Sequence, residues 1–171
     1  MSRIALTPGD VRLKTLRREY VPIVSTIIAC SLVLLPIVVS SPIVPDFAFL
    51  VVIAWRLLRP EMWTAKIALP LGFYNDLVAG HPIGQSMALW TMTFLAFDLL
   101  ESRLGFRDYL MDWLLAAGAI IFHTFGVWYI ALLMGSDARF TIMIPQIGLS
   151  VLAYPVAARL VLARDRWRLA R

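Results

Sequence analysis

Residues 72–84 read GFYNDLVAGHPIG. The apolar run TAKIALPL (64–71) precedes them, and QSMALWTMTFLAF (85–97) follows. Asn75 and Asp76 therefore stand inside a greasy segment that has not yet ended, with Gly80, Pro82 and Gly84 just beyond. Two readings meet here. In the first, Asp76 is architectural. Gly80 suits a helix C-terminal cap with Pro82 soon after it. A helix opening near Gln85 has amide N–H groups without intrahelical partners at the positive end of its dipole. A carboxylate one turn below the loop is placed to accept from them and clamp the two helices together. In the second, the acid binds a proton or an ion.

Composition bears on the choice of class. The chain has 171 residues, 60% of them hydrophobic, and a mean hydropathy of +0.78. Soluble domains run about 45–50% apolar, so a membrane protein is the economical reading. The single cysteine, Cys30, excludes an intrachain disulfide framework and a cysteine-rich metal site, and reads as a small membrane-facing hydrophobe. The net charge of +5 comes from short basic clusters between apolar runs, which fits membrane orientation better than nucleic acid.

A membrane-crossing helix needs about 20 apolar residues. Six candidate spans emerge: 21–39, 46–58, 64–79, 85–100, 109–134 and 141–163. The second to fourth are short and need flanking residues or local thinning. With these spans, fifteen of the sixteen Lys and Arg fall on one side and only Arg139 on the other. The positive-inside rule then places both termini in the cytoplasm, which an even number of spans requires. The first span has a basic leader, but its apolar run exceeds that of a signal peptide and its small-residue site is poor, so it reads as an uncleaved helix. Tyr20, Trp63, Tyr109 and Trp113 fall near the inner interface, and Trp128, Tyr129 and Phe140 near the outer. The expected organisation is a basic cytoplasmic segment (1–20), an all-α six-helix transmembrane domain (21–163) and a basic cytoplasmic tail (164–171).

Connecting loops are too short for a soluble domain. The sequence contains no Walker-type loop, no H-E-x-x-H and no G-x-S-x-G. Ser86 and His123 differ in depth and do not make a dyad. Neither an enzyme nor a cofactor is expected. His123 is the deepest ionisable group, and such groups are candidates for function; with no carboxylate or second histidine at its depth, a neutral imidazole bonding a neighbouring helix is the plainer reading. Asp98, beside Glu101 and Arg103, is expected to pair with an inner-face arginine or to snorkel. Ala116, Ala117, Gly118 and Gly126 mark one region of the fifth span where small residues let helices approach closely, for internal packing or for a partner helix. The segment VRLKTLRRE (11–19), with Arg12, Lys14, Arg17 and Arg18, is a candidate contact for anionic lipid or a cytoplasmic partner.

The order Pro45, Trp55, Arg59-Pro60, then Gly72, Phe73, Asp76, Leu77, Gly80, Pro82 and Gly84 in G-F-x-x-D-L-x-x-G-x-P-x-G resembles the rod shape-determining protein MreD family. The resemblance covers about residues 20–165, and its specific part is 45–84. It implies a non-enzymatic component of the bacterial inner membrane in the cell-elongation machinery that supports peptidoglycan synthesis. The implied partners are MreC and, through it, MreB, the glycosyltransferase RodA and its partner transpeptidase. The implied fold is similar to that of the substrate-binding subunits of energy-coupling-factor transporters. That similarity gives the alternative, a membrane subunit binding a vitamin-like small ligand.

Overall fold

The computed structural model describes residues 8–34, 44–103, 108–137 and 139–169, with side chains from Tyr20 onward. Among them are six α-helices and no strand: α1 (Pro8–Ser31), α2 (Phe47–Leu58), α3 (Ala65–Ala79), α4 (Gln85–Glu101), α5 (Tyr109–Leu133) and α6 (Ile144–Leu169). Short 3-10 turns follow α1 and precede α6.

The helices match the expected apolar runs in order, with differences at their ends. α1 starts at Pro8, so the basic segment and the first apolar run form one continuous helix. α6 runs on to Leu169, carrying the basic tail as helix. Arg12, Lys14, Arg17 and Arg18 lie on the helical backbone of α1, and their side chains are outside the described set. α5 and the Phe140–Leu169 unit are long and apolar enough to cross a membrane by length and composition. The helices α2, α3 and α4 have 12, 15 and 17 residues. At 1.5 Å per residue that is about 18–26 Å, short of a hydrocarbon core of about 30 Å.

The short α2 forms the centre. Its sequence, FAFLVVIAWRLL, is apolar on every side, and a helix of that kind must be surrounded. Nine of its residues are buried. It packs against α1, α5 and α6. Asp46 caps its N-terminus by accepting from Phe49 N at 2.9 Å, a bond that satisfies one of the unpaired amides of the first turn. Trp55 Nε1 donates to Ser25 Oγ at 2.9 Å and ties α2 to α1. Trp63 is stacked against Trp55 with ring centroids 6.4 Å apart and is 1% exposed, so it is a core residue, not an interfacial one. Cys30, also 1% exposed, faces inward as well, which corrects the membrane-facing expectation. By contrast Leu114, Ile121, Leu152, Val156 and Leu160 on α5 and α6 are exposed.

α3 and α4 form an antiparallel hairpin, the most extensive helix pair of the fold. A Cβ built on Gly72 would lie 2.7 Å from both Cα and N of Met87, so only glycine lets the two backbones meet there. Gly118, in contrast, has open space where a Cβ would be added, and the atoms nearest a Cβ on Gly126 belong to the side chain of Leu89.

Candidate functional site

Three polar centres lie in the described part of the fold. The first is the α3–α4 turn. α3 ends on Gly80 at φ 68°, and the N–H groups of Gly80 and His81 both reach Asp76 O. α4 starts from Gly84 at φ 99°, a residue with no side chain to cap a helix. Asp76 supplies the cap from the other helix: Oδ2 accepts from Gly84 N at 2.9 Å and Oδ1 from Ser86 N at 2.8 Å. Asn75 Nδ2 donates to Ser86 Oγ at 3.0 Å. Asp76 is 1% exposed and Asn75 3%, so the two bonded amides and the carboxylate satisfy one another where water does not. Gly72, Asn75, Asp76, Gly80 and Gly84 are thus brought into one junction, and Pro82 O accepts from Gln85 N at 3.0 Å within the turn. Phe73 and Leu77 point outward, 41% and 56% exposed. His81 Nδ1 lies 4.0 Å from Asp76 Oδ1.

The second centre joins the C-terminal end of α2 to α4 and α6. Arg56 is fully buried, with Nη2 paired to Asp98 at 2.5 Å and to Glu101 at 3.0 Å, and its guanidinium lies 5.8 Å from the Phe94 ring centroid. Asp98 therefore pairs with an arginine of the second helix. Arg59 Nη2 donates to Asp165 Oδ2 at 2.7 Å, and Arg168 Nε to Asp165 Oδ1 at 2.6 Å. The Arg168 guanidinium lies 5.4 Å from the Trp55 ring centroid. Asp165 sits in the polar last turns of α6. Burial alone would raise its carboxyl, but the two guanidinium partners outweigh burial and hold it below its ordinary value. Arg59 is raised in turn, first by its hydrogen bond to Asp165.

Spacing along the chain does not reveal this cluster, because Arg59 and Asp165 are 106 residues apart. The signal available was the presence of Arg56 inside a strongly apolar helix, since a buried guanidinium needs carboxylates. Arg56→Met is expected to cost about 2 kcal/mol, seen as a lower Tm in detergent. The cost is moderate because the Asp98 side chain is half exposed and stays hydrated when its partner is removed.

The third centre surrounds His123. Its ring stacks on Phe49, centroids 4.1 Å apart and planes 16° apart, and Nδ1 lies 3.9 Å from Asp46 Oδ2. This corrects the expectation that no carboxylate shares its depth. α2 is so short that its N-cap, Asp46, lies beside the middle of α5 and not beside its end. Asp46 opens the predicted span 46–58, and no signal along the chain set it beside His123. His123 and Asp46 line a cavity with a volume of about 390 Å³ between the C-terminal ends of α1 and α3, the starts of α2 and α6, and the middle of α5. Ser86, buried in the α3–α4 junction and bonded to Asn75, is not among the residues that line it.

No curated protein and no solved structure matches the chain. The family model described as rod shape-determining protein MreD matches residues 17–162, which takes in all three polar centres except Asp165 and Arg168. With the glycine–aspartate junction placed at the α3–α4 turn, and with that match spanning most of the sequence, the chain belongs to the MreD family of rod shape-determining proteins.

Proposed function

We propose that this chain is a non-enzymatic scaffold of the cell-elongation machinery, set in the bacterial inner membrane by six spans with both termini cytoplasmic. It supports rod shape and peptidoglycan synthesis through contacts with MreC and, directly or through the complex, with MreB, RodA and its partner transpeptidase. The observation that carries this reading is the family match over residues 17–162. The disposition of polar groups supports it. Asp76, Asn75, Arg56 and Asp165 are all engaged in bonds that join helices, as in a framework that holds its shape.

The topology rests on the apolar runs and on the placement of basic residues, fifteen on one side against Arg139 on the other. Local thinning and flanking residues let α2, α3 and α4 complete their spans. The basic segment of α1, with Arg12, Lys14, Arg17 and Arg18, lies against anionic lipid or a cytoplasmic partner in this arrangement.

Depletion of the protein in a rod-shaped host is the direct test. Rounded cells are expected; normal rods with normal wall synthesis would defeat the reading. Affinity purification from native membranes adds a second discriminator. Capture of MreC supports the scaffold, whereas capture of ATP-driven transport subunits would favour a vitamin-binding transporter subunit.

A further inference from the structure

The cavity beside His123 is not used by the scaffold reading, and it has the character of a ligand site. Its volume of about 390 Å³ lies in the range of small-molecule pockets, roughly 300–1,000 Å³. Its walls are mixed as such pockets are: apolar side chains such as Phe49 and Ile120 alternate with the polar groups of Asp46, Asn75, His81, His123, Gln146 and Ser150.

Two features go beyond shape. His123 is buried, 5% exposed, and its Nε2 has no hydrogen-bond partner among the described residues. A buried polar atom without a partner is costly, and a native site that carries this cost is often completed by another molecule. On the other edge of the ring, Nδ1 faces Asp46 Oδ2 across 3.9 Å. That gap is too long for a direct hydrogen bond and is the kind that a third group bridges. Asp46 Oδ1 is already occupied by the amide of Phe49, which leaves Oδ2 for the bridge.

Charge narrows the class. Asp46 is the one carboxylate among the described lining residues, and neither Lys nor Arg is among them. A phosphate or carboxylate therefore meets the Asp46 carboxylate with no lysine or arginine to offset it, only the imidazoles of His81 and His123. A molecule that donates an N–H is matched to the free oxygen of Asp46 and to His123.

We propose that this cavity binds a small, uncharged or cationic N–H compound, an amine or a nitrogen heterocycle of one or two rings, held between Asp46 and His123. The site borders the α3–α4 junction through Asn75 and His81, lies apart from the Arg56 and Arg59 ion pairs, and needs no partner protein. Its test is accordingly independent of the elongation reading.

The full-length protein purified in detergent is titrated with benzimidazole, with tryptamine and with benzoate while its Tm is followed. A saturable rise with benzimidazole or tryptamine and none with benzoate is expected. Two variants keep the fold and remove the recognition. Asp46→Asn retains an oxygen to cap α2, and His123→Phe retains the ring stacked on Phe49. Each is expected to raise the half-saturating concentration by about tenfold, the loss of one buried hydrogen bond. Absence of a shift with both N–H probes overturns the proposal. So does an equal shift with benzoate, and so does an unchanged half-saturating concentration in both variants, which means that the probes act through the micelle.

Discussion

Asp76→Leu is expected to lower the stability of the protein in detergent by about 3–5 kcal/mol, a fall in Tm on the order of 10 °C. Two amides, Gly84 N and Ser86 N, lose their acceptor together, and both lie in a turn that has no other cap. Leucine fills the space of the carboxylate but accepts nothing, so the full cost of unpaired buried donors is felt. Asp76→Asn keeps one oxygen and the same size. It is expected to lose only about 1–2 kcal/mol, because one amide keeps an acceptor while the other faces an NH2 group. The order wild type, Asn, Leu in thermal melts is the signature of a clamp. An Asn variant that melts like wild type yet fails to restore rod shape in depleted cells indicates a proton or ion role for the carboxylate. A Leu variant with wild-type Tm and wild-type partner capture removes the clamp altogether.

Much of this junction was legible in the sequence because its parts are local. Gly80, Pro82 and Gly84 announce a turn between two apolar runs, and an acid one helical turn before it has few partners other than the next helix's amides. The order of the six helices was legible for the same reason, since each apolar run is a property of its own residues. What escaped was tertiary. The expected spans assumed that each helix begins at a membrane surface. α2 begins beside the middle of α5, which puts Asp46 against His123 and opens a cavity at its N-terminus. Trp63, taken for an interfacial aromatic, lies instead between Trp55 and Phe94. The partners of Arg56 and Arg59 lie on α4 and α6, at separations of 42 to 106 residues where no periodicity operates. Buried charges in apolar helices were visible as residues that require partners, but the partners themselves depend on how the helices cross.

The same distinction between local and tertiary causes separates two glycines that look alike in sequence. Gly72→Val is expected to destabilise the protein by at least about 3 kcal/mol, above the usual 1–3 kcal/mol of overpacking. The reason is that the new Cβ lands 2.7 Å from the backbone of Met87 and 2.8 Å from the carbonyl carbon of Ser86. Backbone atoms of a helix have no rotamer to yield, so α3 and α4 must part by about 1 Å to restore ordinary contact near 3.5–4 Å. That displacement stretches the bonds from Gly84 N and Ser86 N to Asp76 beyond hydrogen-bonding range. The variant therefore loses the clamp along with the close packing, and its Tm is expected to fall at least as far as that of Asp76→Leu. Gly118→Val is the control. Gly118 has nothing within 4 Å of the added Cβ, and its helical backbone admits a side chain. Its melting temperature is expected to stay within a few degrees of wild type. Combining Gly72→Val with Asp76→Leu provides the sharper measurement. If the valine acts by pulling the amides away from Asp76, the second substitution adds little to the first, and the two losses are strongly sub-additive. Full additivity shows instead that packing and capping are separate supports of the hairpin.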